Sequence, residues 1–287
     1  MIIETQEDVT RAVLAEMSRT PDARTREILA ALVTHLHAFV REVRLTEREF
    51  QAAIGLLNAI GQKTSASHNE AMLVAGALGV SNLVCLINHR HPTQSNNLGP
   101  FFRDGAPRCD NGASLLRSPT PGPALSFKGW VVDQNRRPVA GAEVDVWHSS
   151  PVGLYENQDR TQADMNLRGR FVTGADGGFA FRSVKPAGYP VPTDGPAGTL
   201  LAAQRRHNLR PAHLHFLVYK PGFRTIASQV YDPEDPNLET DSQFGVTKAL
   251  IGNYQKRGDG SYALEYTFQL EPGEARRPTA PITGKAI

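Results

Sequence analysis

The chain has 287 residues, 40% hydrophobic and 21% charged, with 31 basic against 29 acidic side chains. That composition can bury a core, which excludes a disordered chain, and a net charge of +2 carries no electrostatic footprint for nucleic acid. Cys85 and Cys109 cannot build a disulfide framework, no apolar run reaches the roughly 18 residues of a membrane span, and Met1-Ile2-Ile3-Glu4-Thr5 does not read as a secretion signal, so the expectation is a soluble, cytoplasmic protein with no membrane partner.

Residues 1–95 hold 2 of the 20 prolines and 4 of the 25 glycines, which favours helix there and strands and turns in residues 96–287. A domain boundary is therefore expected near residue 95. Thr20-Pro21-Asp22 predicts a helix start, with an N-cap, a proline at the first helical position and an early acid. Ile28, Leu32, Leu36, Phe39, Val40 and Val43 follow at helical spacing. Thr46 with Glu49, and Ser67 with Glu70, form capping-box patterns. The helix predicted from Ser67 to Asn88 is apolar on more than one face, which predicts burial on more than one side. Gly76 and Gly79 within it each cost about 1 kcal/mol relative to alanine, a cost that close packing or room for a ligand would offset.

Short strands are predicted over Leu125–Val132, Ala142–Trp147, Phe179–Phe181, His213–Tyr219, Thr225–Tyr231 and Ala263–Leu270, separated by Gly- and Pro-rich turns. The fold class is α+β: an N-terminal helical domain over 1–95, then an antiparallel β-sandwich over 96–287. Long proline-rich loops on a rigid sheet are where chemistry concentrates.

His213-Leu214-His215 places two imidazoles on one face of a strand, roughly 6.6 Å apart along it, a span over which two nitrogens can converge on one ion. Imidazole suits iron, zinc, copper or nickel, and the alternative is a pair satisfied by core hydrogen bonds. His207 reads as a solvated loop residue, and His148 as a ligand or a capping side chain at a strand end. Tyr155 and Tyr189 sit in loops flanked by Gly and Pro, where a rigid backbone can aim a phenol inward, although ordinary packing is the usual fate of a tyrosine. A phenol ligates only an ion acidic enough to deprotonate it, as ferric iron is. A metal-stabilised β-sandwich binding module and a cupin-like metal enzyme are the competing readings. The second lacks a nearby carboxylate, since the first acid downstream of His215 is Asp232.

Four separated motifs, Arg210-Pro211-Ala212-His213-Leu214-His215-Phe216, Pro186-Ala187-Gly188-Tyr189-Pro190-Val191-Pro192, Gly141-Ala142-Glu143-Val144-Asp145-Val146-Trp147-His148 and Leu98-Gly99-Pro100-Phe101-Phe102, resemble the intradiol ring-cleavage dioxygenases. The likeness is closest to hydroxyquinol and catechol 1,2-dioxygenases, covers nearly the whole chain and is weakest over the first 20 residues. It implies a non-haem Fe(III) held by Tyr155, Tyr189, His213 and His215, with Tyr189 and His213 axial. It also implies that Tyr189 takes one proton from a 1,2-diol, and that Arg210 and Gln229 stabilise developing negative charge while O2 opens the ring to a cis,cis-muconate or maleylacetate-type diacid. By the same resemblance the diol pocket is walled by Leu73, Gly76, Leu98, Gly99, Pro100, Phe101, Val191, Pro192 and Arg210. A homodimer through the N-terminal helices, with a bound lipid, is implied too. Overall wording is nearest the hydroxyquinol enzymes, which often carry an acid on the pocket helix where this chain has Gly76; catechol or a substituted catechol is the other candidate substrate.

Overall fold

The computed structural model describes residues 2–89 and 94–285. Two compact units separate along the chain, Met1–Asn58 and Ala59–Ile287, and every candidate site residue lies in the second. α1 (Gln6–Met17) opens on a capping box between Thr5 and Asp8. α2 (Ala23–Val43) is capped by Asp22, whose Oδ1 accepts from the Thr25 amide at 2.7 Å. The start is thus two residues later than Thr20-Pro21 predicts, because the Asp22 carboxylate reaches an orphan amide of the first turn and leaves Pro21 outside the helix. α3 (Glu47–Lys63) begins at the predicted box, with Thr46 N donating to Glu49 Oε2 at 2.9 Å and Glu49 N to Thr46 Oγ1 at 3.3 Å.

The single helix predicted from Ser67 to Asn88 is two helices, α4 (Glu70–Ala77) and α5 (Val80–Asn88), bent by 77°. Gly79, with φ of +73°, supplies the left-handed residue at the break. The Ser67–Glu70 box does not form. Asn69 caps α4 through the Met72 amide at 3.0 Å, and Glu70 is drawn inward to accept from the Ala197 amide at 2.7 Å, in the first turn of α6 (Pro196–Ala203). α4 buries Leu73, Gly76 and Ala77, whereas α5 leaves Leu83, Val84 and Ile87 exposed, so the expected many-sided burial applies to α4 alone. Among the described residues no single helix is long and apolar enough to cross a membrane.

Among the described residues ten strands are present: β1 (Ala124–Val132), β2 (Glu143–His148), β3 (Arg168–Val172), β4 (Gly178–Val184), β5 (Tyr189–Pro190), β6 (Leu209–Arg210), β7 (His213–Tyr219), β8 (Ile226–Tyr231), β9 (Gln255–Lys256) and β10 (Tyr262–Gln269). They form one sheet in the order β4-β1-β10-β9, a second in the order β3-β2-β7-β8, and a β5-β6 ribbon. Pairing is antiparallel except between β1 and β10, which run parallel. The six predicted strands are all present; β3, whose Arg168-Gly169-Arg170 start carries no apolar alternation, and the two-residue β5, β6 and β9 were not legible.

Phe127, Phe181, Val144, Val146, Leu214, Phe216, Val230 and Phe268 belong to one buried cluster shared by the two four-stranded sheets. Phe127 stacks on Phe181 with centroids 4.7 Å apart, and Phe216 lies 5.0 Å from Phe127. Because side chains alternate along a strand, sending Leu214 and Phe216 into this core turns His213 and His215 to the opposite face of β7. Phe216→Ala should therefore cost about 3–5 kcal/mol of stability. Urea unfolding checks this, and a loss below about 1 kcal/mol would mean that Phe216 does not key the two sheets together.

Candidate metal centre

The register across the second sheet assembles the site. Trp147 pairs with His215, His215 with Gln229, and His213 with Tyr231, so these side chains share the face turned away from the sandwich core. The β5-β6 ribbon pairs Tyr189 directly with Arg210 and delivers both beside the histidines. Tyr155 comes from a turn in which Ser150 N donates to Leu154 O and Gly153 N to Ser150 O. Gly153 has φ of +78°, and a Cβ there would stand 3.1 Å from Gly188 O and 3.3 Å from Tyr189 Cβ, so only glycine lets the two tyrosine loops lie this close.

The four side chains converge. His213 Nε2 and His215 Nε2 are 3.0 Å apart, the Tyr155 and Tyr189 rings meet edge-on at 5.2 Å, and Tyr189 lies 5.6 Å from the His213 ring. All four are buried. Pro211 O accepts from His213 Nδ1 at 2.7 Å, which puts the proton on Nδ1 and leaves a lone pair on Nε2. Burial pushes the His213 imidazole down to about 3, helped by the Arg210 charge, and holds His215 well below the usual histidine range. Both are neutral at ordinary pH, the form that ligates a metal. Burial, reinforced by neighbouring Tyr189, drives the Tyr155 phenol well above its usual range, and its Oη has no hydrogen-bond partner among the described residues. An orphaned buried phenol beside two neutral imidazoles is a donor set that a hard trivalent cation would satisfy, so the residues present fit a ferric ion. Among the described residues no group of three or more His, Cys, Asp or Glu side chains is gathered, which leaves the phenols as the anionic donors.

Arg210 is buried against this set. Its Nη1 lies 3.4 Å from Tyr189 Oη and 3.3 Å from His213 Nε2. Its Nη2 donates to Gln229 Oε1 at 2.9 Å and to Tyr231 Oη at 2.8 Å. Asp241 accepts from Nε and Nη2, each at 3.0 Å. Burial opposes the guanidinium charge, but Asp241 and the phenols of Tyr231 and Tyr189 outweigh it and hold the arginine fully protonated. Burial likewise opposes the Asp241 carboxylate, and Arg210 brings it below its usual range. Gln229 Nε2 donates to Asn97 O at 2.9 Å, tying the arginine to the segment that carries Leu98, Gly99, Pro100 and Phe101.

Of the expected pocket residues, Leu73, Leu98, Gly99, Phe101 and Val191 pack against the tyrosines or His215. Gly99, with φ of +77°, would place a Cβ 3.1 Å from His215 Cε1, so that the backbone lies against the ring. Phe101 stacks on Tyr155 at 4.6 Å, and Leu73, Phe101 and Val191 share one buried cluster with both tyrosines. Leu98 packs on that cluster and lines a cleft of about 440 Å³ with Cys85, Asn96, Leu217 and Ala227. Pro100 and Pro192 are half-buried, and Gly76 is buried on α4. His148 stays out of the site: its ring bonds Ser149 O and Ser183 Oγ, each at 2.7 Å, so both nitrogens are committed. His207 is exposed, with Nδ1 accepting from the Leu209 amide at 3.1 Å.

Residues 98–272 match the family described as "Dioxygenase", and residues 22–96 match "Catechol dioxygenase N terminus". This chain belongs to the intradiol ring-cleavage dioxygenase family. The dioxygenase is 41% identical over 92% of its length to a hydroxyquinol 1,2-dioxygenase of Rhizobium, covering 90% of that protein. It is 40% identical over 93% of its length to a 6-chlorohydroxyquinol 1,2-dioxygenase of Cupriavidus pinatubonensis, covering 98% of that protein. A solved structure, the hydroxyquinol 1,2-dioxygenase of Pseudomonas putida, superposes with a TM-score of 0.82 at 37% identity, covering 93% of this chain and 99% of that one.

Three contributors escaped the sequence reading. Asp241 and Tyr231, which seat Arg210, lie 31 and 21 residues beyond it with no local motif. Glu156, next to Tyr155, is buried between Arg103 and Arg168 at 2.5 and 2.7 Å and braces that loop from below. Only the Tyr155-Glu156 adjacency in the sequence hinted at it.

The buried neutral imidazoles set a pH dependence. His148 is pushed down to about 4 and His213 to about 3, chiefly by burial, and His215 is held well below the usual histidine range, while each binds a proton near about 6.5 when unfolded. Between those values the unfolded chain holds more protons, so stability rises with pH. For the metal-free protein the urea midpoint should fall steadily as pH drops from about 6.5 towards 4, at up to about 1.4 kcal/mol per pH unit for each histidine. A flat profile across that window would contradict the burial of these rings.

Proposed function

We propose that this dioxygenase uses Fe(III) and O2 to cleave hydroxyquinol between its two adjacent hydroxyl-bearing carbons, with catechol accepted less well. The observation that carries the reading is the convergence of Tyr155, Tyr189, His213 and His215 around Arg210, whose Nη1 stands within 3.4 Å of both Tyr189 Oη and His213 Nε2. One C–C bond breaks, and both atoms of O2 enter the product as a cis,cis-muconate or maleylacetate-type diacid. The relatives named above as hydroxyquinol enzymes support that substrate. Gly76, which carries no acid, favours catechol or a substituted catechol as the second reading.

Tyr155, Tyr189, His213 and His215 would hold the ion, and the ion would supply Lewis acidity to a chelated diol and an electron path from the ring to O2. The chain's own groups do the rest. Tyr189 Oη would take one diol proton. The fixed charge of Arg210 stabilises negative charge that develops on the substrate, as an oxyanion site does. Gln229 and Asp241 hold that guanidinium in place, so no reorganisation is needed during the reaction. Leu73, Leu98, Gly99, Pro100, Phe101, Val191 and Pro192 form a largely apolar wall that excludes water from the ring, with Gly76 on the helix side. The division at residue 95 is retained in this reading: residues 96–287 carry the catalytic machinery, and residues 1–95 add α4 to the pocket.

Two further parts of the reading concern assembly and place. α2 exposes Ile28, Leu32, Leu36, Phe39 and Val43, each at 49% or more, along one face of a single helix. Such a stripe is covered by a partner in solution, and we assign it to a second copy of the chain, with lipid filling what the copies leave open. A cytoplasmic location accords with Cys85 and Cys109, both free thiols.

Metal analysis should return about one iron per chain and a visible tyrosinate charge-transfer band. About one zinc with no iron, and no oxygen uptake with hydroxyquinol, would instead fit a metal-stabilised binding module. Arg210→Lys keeps a cation beside Asp241 but loses the fork, so kcat should fall by about 10²–10³ while the resting colour persists. Turnover at the wild-type rate would remove Arg210 from the mechanism. Sedimentation should give a dimer that Leu36→Glu dissociates; a monomeric wild type would refute the assignment of the α2 stripe.

A further inference from the structure

Gly76 has no side chain, yet the space in front of it is filled. A Cβ built there would run into Oε1 of Gln243 and lie 2.8 Å from the carboxamide carbon. Gln243 comes from the turn Asp241–Gly245, and that turn is fixed from several sides. Its Asp241 carboxylate holds Arg210 and accepts from the amides of Gln243 at 3.2 Å and Gly245 at 2.8 Å. Arg206 Nη2 donates to Ser242 O at 2.7 Å, Asn82 Nδ2 to Phe244 O at 2.5 Å, and the Arg206 guanidinium covers the Phe244 ring at 4.4 Å. The turn, rather than any strong bond of its own, therefore seats the Gln243 side chain.

That side chain is buried, with 6% of its surface exposed. Its Nε2 reaches only the adjacent Ser242 O, at 3.4 Å, and nothing among the described residues donates to Oε1. An amide oxygen that no protein group engages is an acceptor open to a ligand hydroxyl. Its surroundings indicate which ligand. On one side is α4, whose Leu73 and Ala77 pack in the same cluster as Tyr155, Tyr189 and Phe101. On the other is the Asp241–Arg210 pair, which reaches Tyr189 and His213.

We propose that Gln243 is the specificity element of the pocket: its Oε1 accepts a hydrogen bond from the ring hydroxyl outside the 1,2-pair, and position 76 is glycine to leave room for it. The inference rests on the hydroxyquinol reading above and deepens it. The acceptor comes from the Asp241–Gly245 turn, and the chemistry favours an amide there. A carboxylate would bring a further negative charge beside a diol that reacts as a dianion, whereas a carboxamide accepts the same bond while neutral.

Two measurements test the two halves separately. The first is kcat/KM for hydroxyquinol and catechol, side by side, in the iron-loaded wild type and Gln243→Leu. The hydroxyquinol-to-catechol ratio should fall at least tenfold in the variant, and a ratio within twofold of wild type would overturn the assignment. The second is urea unfolding of the iron-free protein for Gly76→Ala, Gln243→Ala and the double variant. Gly76→Ala should lower the midpoint when Gln243 is present and leave it unchanged or raise it when Gln243 is alanine. The same shift in both backgrounds would overturn the pairing. A wild type that cleaves neither diol would overturn the functional reading, and the unfolding pair would still decide whether residues 76 and 243 compete for one space.

Discussion

A guanidinium sealed inside a protein must be neutralised where it stands, and the arrangement around Arg210 follows from that requirement. Leaving such a charge unpaired costs several kcal/mol, so Asp241 is drawn in to meet it with both oxygens. That pair fixes the Asp241–Gly245 turn against β6. Tyr231 and Gln229 complete the remaining donors from β8, and Tyr231 Oη in turn bonds Gln229 Oε1. Tyr189 and His213 lie against the inner edge of the fork. A turn, a two-residue ribbon and two sheet strands are thereby locked together by one cation, and what would face a bound diol is the part of that cation left over.

The sheet contributes precision of a different kind. A strand whose odd and even residues face opposite ways can serve a core and a site at once, and β7 does both with seven residues. Leu214, Phe216 and Val218 belong to the sandwich core, while His213 and His215 stand on the outer face beside Gln229 and Trp147. Trp147 stacks on the His215 ring at 4.7 Å with an interplanar angle of 7°, so the imidazole is held by packing on one side and by the Gly99 backbone on the other. Side chains mounted on a strand this well buried do not depend on loop order for their geometry. The tyrosines come from loops and are braced separately, Tyr155 through the buried Glu156 between two arginines and Tyr189 through its ribbon partner Arg210.

α4 and α5 show how one glycine changes what a helix is for. A continuous helix over Ser67–Asn88 would have carried its apolar residues round a single axis. The left-handed Gly79 turns the chain, so α4 packs on α6 and the tyrosine cluster while α5 presents Leu83, Val84 and Ile87 outward. The same bend brings Asn82 to the Phe244 carbonyl, which helps to hold the turn carrying Gln243.

Local pattern in the sequence determined six strands of the sandwich, the helical character of the first part, and the chemistry available: two histidines two apart on a strand, and two tyrosines in stiff loops. Alternation and spacing are properties of neighbours along the chain, so they are legible without a structure. The four motifs then pointed to the family that the matches over residues 98–272 and 22–96 show. Tertiary structure decided what depends on residues far apart. The break at Gly79, the inward turn of Glu70 to cap α6, the seating of Arg210 by Asp241 and Tyr231, and the filling of the space before Gly76 by Gln243 each join segments between 21 and 167 residues apart or turn on packing against them. Such contacts leave no periodicity in the sequence. They exist because a buried charge or amide takes the nearest partner in space, and which partner is nearest is fixed only when the chain has folded.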